Sequence, residues 1–67
     1  MKVGENYIPK NMNVMNLMPS LIEVKVLQDG KVGYTVNGGN VIWANEDDFL
    51  KLFIKVVQVG EHEYAIA

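Results

Sequence analysis

The residues that could carry out chemistry in this sequence are few, and its one histidine is the first to consider. His62 is flanked by Glu61 and Glu63. A general base needs a nucleophile or an acid held beside it, and neighbours along a strand do not supply that arrangement. One histidine and no cysteine also leave zinc without its usual ligands. We therefore interpret His62 as a surface or strand-edge residue.

The densest group of carboxylates is Glu46-Asp47-Asp48. A metal site would need further oxygen ligands, and the spacing of a calcium-binding loop is not present. Acidic residues are favoured in the first turn of a helix, where they face the positive end of the helix dipole. The sequence therefore predicts a helix start here and no metal site.

Nucleophiles are equally scarce. Serine and threonine occur once each, as Ser20 and Thr35, and neither lies in the Gly-x-Ser-x-Gly turn of a serine hydrolase. The pair Gly38-Gly39 is not followed by the lysine and hydroxyl residue of a phosphate-binding loop, so we interpret it as part of a turn. We expect no catalytic residue, no cofactor and no enzymatic activity.

The most unusual feature is a methionine-rich segment, residues 12–18, in which asparagines separate the apolar side chains. Methionine is flexible and polarizable, and methionine-rich surfaces adapt to binding partners. Two interpretations stay open: the segment closes one end of the protein's own core, or it is a surface for a protein partner or a second copy of the chain. The predicted partner-binding residues are Met12, Val14, Met15, Leu17 and Met18, with the aromatic residues Tyr7 and Trp43.

Four larger aromatic residues, Tyr7, Tyr34, Trp43 and Tyr64, could form a binding platform. Such platforms bind single-stranded nucleic acid when basic residues are interleaved, and proline-rich peptides when a groove is present. The chain has six lysines, no arginine and a net charge of −2, which argues against nucleic acid. The alternative is that most of these rings fill a small core.

Hydropathy patterns indicate the elements that would position these residues. Apolar and polar residues alternate as in half-buried strands over residues 21–27, 31–36 and 61–66, and shorter strands are predicted over residues 3–8 and 41–44. A short helix is predicted over residues 46–53, capped by Asn45 and buried through Phe49, Leu50, Leu52 and Phe53. Residues 54–59 could continue that helix, but their β-branched side chains favour a strand.

The first predicted turn is Gln28-Asp29-Gly30. A three-residue loop would place Val26 opposite Val32 and Val24 opposite Tyr34, which keeps one face of the hairpin apolar. A two-residue loop would pair Val24 with Thr35 and Lys25 with Tyr34, which mixes the core and solvent faces. We therefore predict the three-residue loop.

The second predicted turn, residues 37–40, leaves the position of Trp43 open. A two- or four-residue loop places Trp43 opposite Tyr34 in the core. A three-residue loop places it opposite Gly33 on the outer face, where the missing side chain leaves room for a large ring. We favour the core, because large aromatic side chains are mostly buried.

These elements predict a mostly β protein, a small SH3-like barrel of about five strands with one short helix before the late strands, in a single domain over residues 1–67. The absence of cysteine, of an apolar leader and of a membrane-length apolar run predicts a cytoplasmic protein with no membrane partner. The opening Gly4-x-x-Tyr7 pattern resembles the start of many short accessory proteins of bacteria and their mobile elements.

We expect a non-catalytic protein-interaction module whose partner is another protein or a second copy of the chain. The alternatives are a small barrel that binds single-stranded nucleic acid and a self-associating structural subunit. The features that would separate them are the salt dependence of nucleic-acid binding and the oligomeric state.

Overall fold

Six antiparallel strands form one curled sheet in the computed structural model, which describes residues 1–11, 20–61 and 63–67. The order across the sheet is β4-β3-β2-β1-β5-β6, so β4 and β6 form its edges. This mostly β half-barrel confirms the predicted fold class and is compatible with a small SH3-like barrel, with six strands where about five were predicted. The elements are β1 (Asn6–Pro9), β2 (Ile22–Gln28), β3 (Lys31–Val36), β4 (Ile42–Asn45), α1 (Glu46–Leu52), β5 (Phe53–Gly60) and β6 (Glu63–Ile66).

The core is built around Phe49, the fully buried residue of α1. Its ring centroid lies 4.9 Å from that of Tyr7, 5.2 Å from that of Tyr34 and 4.8 Å from that of Phe53. The rings meet at steep or tilted angles, which aromatic pairs prefer to face-to-face stacking. The strands add the buried side chains of Ile22, Val24 and Val32. One phenylalanine from the helix therefore ties three strands together.

The rest of α1 differs from the sequence-based expectation. Leu50 and Leu52 were expected to be buried, and both are exposed, so that prediction was wrong. The helix has only seven residues, and a helix this short turns few side chains toward any one face. Phe53, predicted as the last helical residue, has extended backbone angles and begins β5. The strand predicted over residues 54–59 therefore forms and begins one residue earlier.

The hairpin between β2 and β3 has a two-residue loop. Asp29 and Gly30 both have positive φ, 51° and 74°, the combination that a type I′ turn requires. Gln28 therefore lies opposite Lys31. The prediction of a three-residue loop was wrong because Asp29 adopts the left-handed conformation as well as Gly30, which closes the turn with two residues.

A β-bulge restores the apolar register farther along this hairpin. The pairing shifts by one residue between Val24 and Val26. On the far side of the shift Val24 lies opposite Tyr34, as predicted. On the near side Val32 lies opposite Leu27, so the predicted Val26–Val32 pair does not form. The extra residue lets a two-residue turn and an apolar inner face coexist.

An ion pair connects the N-terminal turn to β5. One carboxylate oxygen of Glu5 lies 2.5 Å from Lys55 Nζ, and the other accepts a hydrogen bond from the backbone N–H of Lys2 at 2.6 Å. The hydrogen bond from Lys55, with that from Lys2, holds the pKa of Glu5 below its ordinary value of 4.5. The same pair raises the pKa of Lys55.

Candidate functional site

Trp43 lies on the face of the sheet opposite to the Phe49 cluster. It is paired with Gly33, while Tyr34 is paired with Ile42, so the favoured position of Trp43 in the core was wrong. Positive φ angles at Asn37 and Gly38, 51° and 76°, tighten the turn between β3 and β4. The register that results is the one in which glycine makes room for the indole.

The indole packs directly against the backbone of Gly33. A Cβ atom added to Gly33 would lie 3.2 Å from Cη2 and Cζ2 of Trp43 and 3.2 Å from Cγ1 of Val41. These distances are shorter than ordinary van der Waals contact, so any larger residue at position 33 would displace one of the two side chains. The indole is nevertheless 50% exposed, because nothing in the described chain covers its other side.

The bulge in β2 adds a third apolar side chain to this surface. Alternation alone would place Val24 and Val26 on the same face of the sheet. The shift between them turns Val24 inward, opposite Tyr34, and turns Val26 outward, opposite Gly33. Val26 and Val41 are both more than one third exposed. We call the outward surface formed by Val26, Gly33, Val41 and Trp43 the Trp43 face.

Neutral polar, acidic and basic side chains border the Trp43 face. The indole lies at one side of an open depression lined also by Gln28, Asp29 and Lys31. Lys25, the bulge residue, pairs with Glu23 at 2.9 Å, and the two side chains are 44% and 41% exposed. Because both signs of charge are present, this border favours neither an acidic nor a basic partner. The amide and charged groups of the border can form hydrogen bonds around a central apolar contact.

The predicted partner-binding residues do not assemble into one described surface. Trp43 is exposed on β4, whereas Tyr7 is buried in the core beside Phe49, so Tyr7 is not available at the surface. The segment predicted to bind a partner through Met12, Val14, Met15, Leu17 and Met18 lies outside the described residues.

Of the two interpretations of the larger aromatic residues, the binding platform and the filled core, the structure agrees with the second for Tyr7 and Tyr34. Tyr7 and Tyr34 belong to the Phe49 cluster, which agrees with the alternative that these rings fill the core. Trp43 and Tyr64 are exposed on β4 and β6, the two edge strands of the sheet. Only Trp43 therefore combines exposure with a preformed packing site.

Sequence reasoning missed Val26 and Val41 as members of the surface. Val26 was assigned to the core face because the bulge was not anticipated. The one available signal was Gly33, a glycine inside an otherwise regular strand pattern, which often marks close approach of another group. Its pairing with Trp43 fits that rule.

The described residues offer little for metal chemistry. They contain no group of three or more potential ligand side chains placed to hold a metal ion. Glu46, Asp47 and Asp48 border a polar depression at the start of α1 together with Lys51, as expected for acidic residues in a first helical turn. His62 lies outside the described residues. Among the described helices, none has the length and apolar character needed to cross a membrane.

Comparison of the chain with protein-family models, curated proteins and solved structures finds no match. Function must therefore be inferred from the chemistry of the surface. That surface is an exposed indole supported by a glycine, flanked by two valines and bordered by mixed polar groups.

Proposed function

We propose that this protein is a non-catalytic protein-interaction module that binds a protein partner through the Trp43 face. The observation that carries the proposal is the half-exposed indole packed on Gly33. Tryptophan is among the residues most enriched at energetic centres of protein interfaces. An indole already fixed on one side loses little conformational freedom when a partner covers the other side.

The free energy gained by covering the indole determines how much further contact a partner must make. Covering the exposed half of the indole would remove on the order of 100 Å² of apolar surface, which stabilises a complex by about 2.5 kcal/mol. Val26 and Val41 add smaller areas beside it. Association opposes binding by several kcal/mol, so the partner must extend beyond the indole onto the polar border, where Gln28 and Lys31 can form hydrogen bonds.

The methionine-rich segment has a separate place in the proposal. Its partner-binding role stays a prediction from the sequence, because residues 12–19 lie outside the described chain. The substitution Met15→Asp tests it. Loss of binding with the fold intact would assign Met15 to the interface, whereas unfolding of the variant would assign it to the core.

The test of the Trp43 face compares two exposed apolar residues. Immobilised wild-type protein, Trp43→Ala and Leu52→Ala are used to capture partners from the source cells, after urea denaturation shows that all three are folded. Leu52 is a matched control because it is 61% exposed and lies on α1, away from the indole. We expect a partner that is retained by wild type and Leu52→Ala and lost with Trp43→Ala. Equal capture by all three proteins would contradict the proposal.

Binding of single-stranded nucleic acid has weaker support. Two of the four rings that would form a stacking platform belong to the core, and the border of the Trp43 face carries both charges. Retention on single-stranded DNA or RNA that falls steeply as salt increases would indicate this function instead.

A further inference from the structure

Within the described residues, one side of β4 has no backbone hydrogen-bond partners, and this open side lies beside the Trp43 face. β4 is one of the two edge strands of the sheet and, within the described chain, pairs with β3 alone. Residues of an antiparallel strand alternate between those that bond to one neighbour and those that point to the other side. Which residues of β4 point outward therefore decides what the edge can bind.

The outward groups belong to Trp43 and Asn45. The backbone N–H of Glu46 donates to the carbonyl of Gly30 at 2.9 Å, which continues the register of the Lys31–Asn45 and Gly33–Trp43 pairs. By alternation, Ile42 and Ala44 bond to β3, whereas Trp43 and Asn45 direct their N–H groups to the open edge. The carbonyl of Trp43 points the same way.

We infer that a second copy of this chain pairs with β4 across a two-fold axis at Trp43, forming one continuous sheet from two half-barrels. This inference rests on the proposed interaction role of the Trp43 face, for which it names the partner. In that register the two Trp43 residues exchange backbone hydrogen bonds, and each Asn45 N–H donates to the Val41 carbonyl of the other copy. The two Trp43 faces then merge into one.

The side chains of β4 suit pairing with themselves. The register places Ile42, which is 46% exposed, opposite Ala44 of the second copy, and Val41 opposite Asn45. No like charges meet, because residues 41–45 contain no charged side chain. The other edge differs, since β6 carries Glu63 and follows Glu61, and charges on an edge strand oppose pairing with a second sheet.

The acidic start of α1 is also compatible with this arrangement. A two-fold axis at residue 43 separates the two copies of residue 45 by four residues along the strands, or about 14 Å. This distance exceeds the screening length of about 8 Å at physiological ionic strength. Each Glu46-Asp47-Asp48 group lies instead toward the uncharged turn 37–40 of the other copy.

The backbone of Asn45 provides a selective test. Its φ of −68° and ψ of 143° are angles that proline adopts readily, and its N–H is directed away from β3. Asn45→Pro should therefore keep the fold while removing one donor from the edge and blocking it sterically. Asn45→Ala keeps the N–H and is the matched control for loss of the side chain, which makes one hydrogen bond, to Asp48 at 3.5 Å.

The experiment is sedimentation equilibrium over a concentration series for wild type, Asn45→Ala and Asn45→Pro. We expect the mass to rise to twice that of the monomer for the first two proteins and to stay at the monomer for the third. A wild-type protein that is monomeric throughout, or an Asn45→Pro variant that is folded and still dimeric, overturns the inference. If wild type is monomeric and partner capture still depends on Trp43, the interaction proposal stands without self-pairing.

A cysteine variant keeps the inference testable if Asn45→Pro fails to fold. Facing residues that do not exchange hydrogen bonds lie about 4.5 Å apart at Cα, within the range of a disulfide. In this register Ile42 faces Ala44 of the second copy in this way, and replacing either residue leaves the indole in place. The chain has no cysteine of its own. An oxidised mixture of Ile42→Cys and Ala44→Cys should therefore form a covalent dimer with one copy of each, whereas a mixture of Ile42→Cys and Tyr64→Cys, on the other edge, should not. No cross-link in the first mixture, or equal cross-linking in both mixtures, overturns the assigned register.

Discussion

Replacing Phe49 with alanine should remove most of the stability of this protein. Phe49 is fully buried and contacts the rings of Tyr7, Tyr34 and Phe53. Truncation of a buried phenylalanine costs about 3–5 kcal/mol. A chain of 67 residues has a total free energy of unfolding of about 3–10 kcal/mol, from typical values per residue. The substitution therefore consumes a large part of that total, or all of it.

The assay is urea denaturation followed by circular dichroism, with Leu52→Ala as the control on the same helix. Leu52 is 61% exposed, and an exposed substitution changes the free energy of unfolding by only about 0.5 kcal/mol. Phe49→Leu should fall between the two and gives a measurable midpoint if the alanine variant is unfolded. If Phe49→Ala and Leu52→Ala lower the free energy of unfolding equally, the assignment of Phe49 as the centre of the core is refuted.

Three further predictions follow from single side chains. Thr35 is buried with a hydroxyl that has no hydrogen-bond partner among the described residues, so Thr35→Val should raise the free energy of unfolding by about 1 kcal/mol in urea denaturation; a loss would indicate a partner. The lowered pKa of Glu5, caused chiefly by Lys55, means that its stabilising contribution is present above pH 4.5 and lost as pH falls through the lower folded value. Glu5→Gln should therefore lower the melting temperature at neutral pH but not in strong acid, and a pH-independent difference would contradict this. Burial raises the pKa of Tyr7 above 10.0, so stability should fall as pH rises above 10, with a smaller fall for Tyr7→Phe; identical alkaline slopes would argue against it.

The sequence was sufficient to predict the elements because their signals are local. Apolar and polar residues alternate over residues 31–36, which marks β3. The acidic residues at positions 46–48 mark the start of α1. The order of strands across the sheet depends instead on contacts between distant segments. β1, for example, lies between β2 and β5, and no local pattern specifies that neighbourhood.

Registers were harder to predict because single-residue effects decide them. The loop of the first hairpin depends on whether Asp29 adopts a positive φ, which costs an aspartate less than most residues. The bulge between Val24 and Val26 then compensates for the shorter loop. The free energies of the alternative loop lengths and registers differ by roughly 1 kcal/mol. Hydropathy patterns alone could not distinguish between alternatives that are so close in energy.

Trp43 shows how such a small choice determines the candidate site. Its burial preference favours the core, but the position at the centre of the core is occupied by Phe49, which lies among three other rings. Gly33 offers a packing site on the outer face, where even a Cβ atom would lie only 3.2 Å from the indole. A glycine in the middle of a strand lowers strand stability by roughly 0.5–1 kcal/mol relative to alanine. A glycine that supports an exposed indole, beside a sheet edge that is open within the described chain, is what the proposed binding role of the Trp43 face requires.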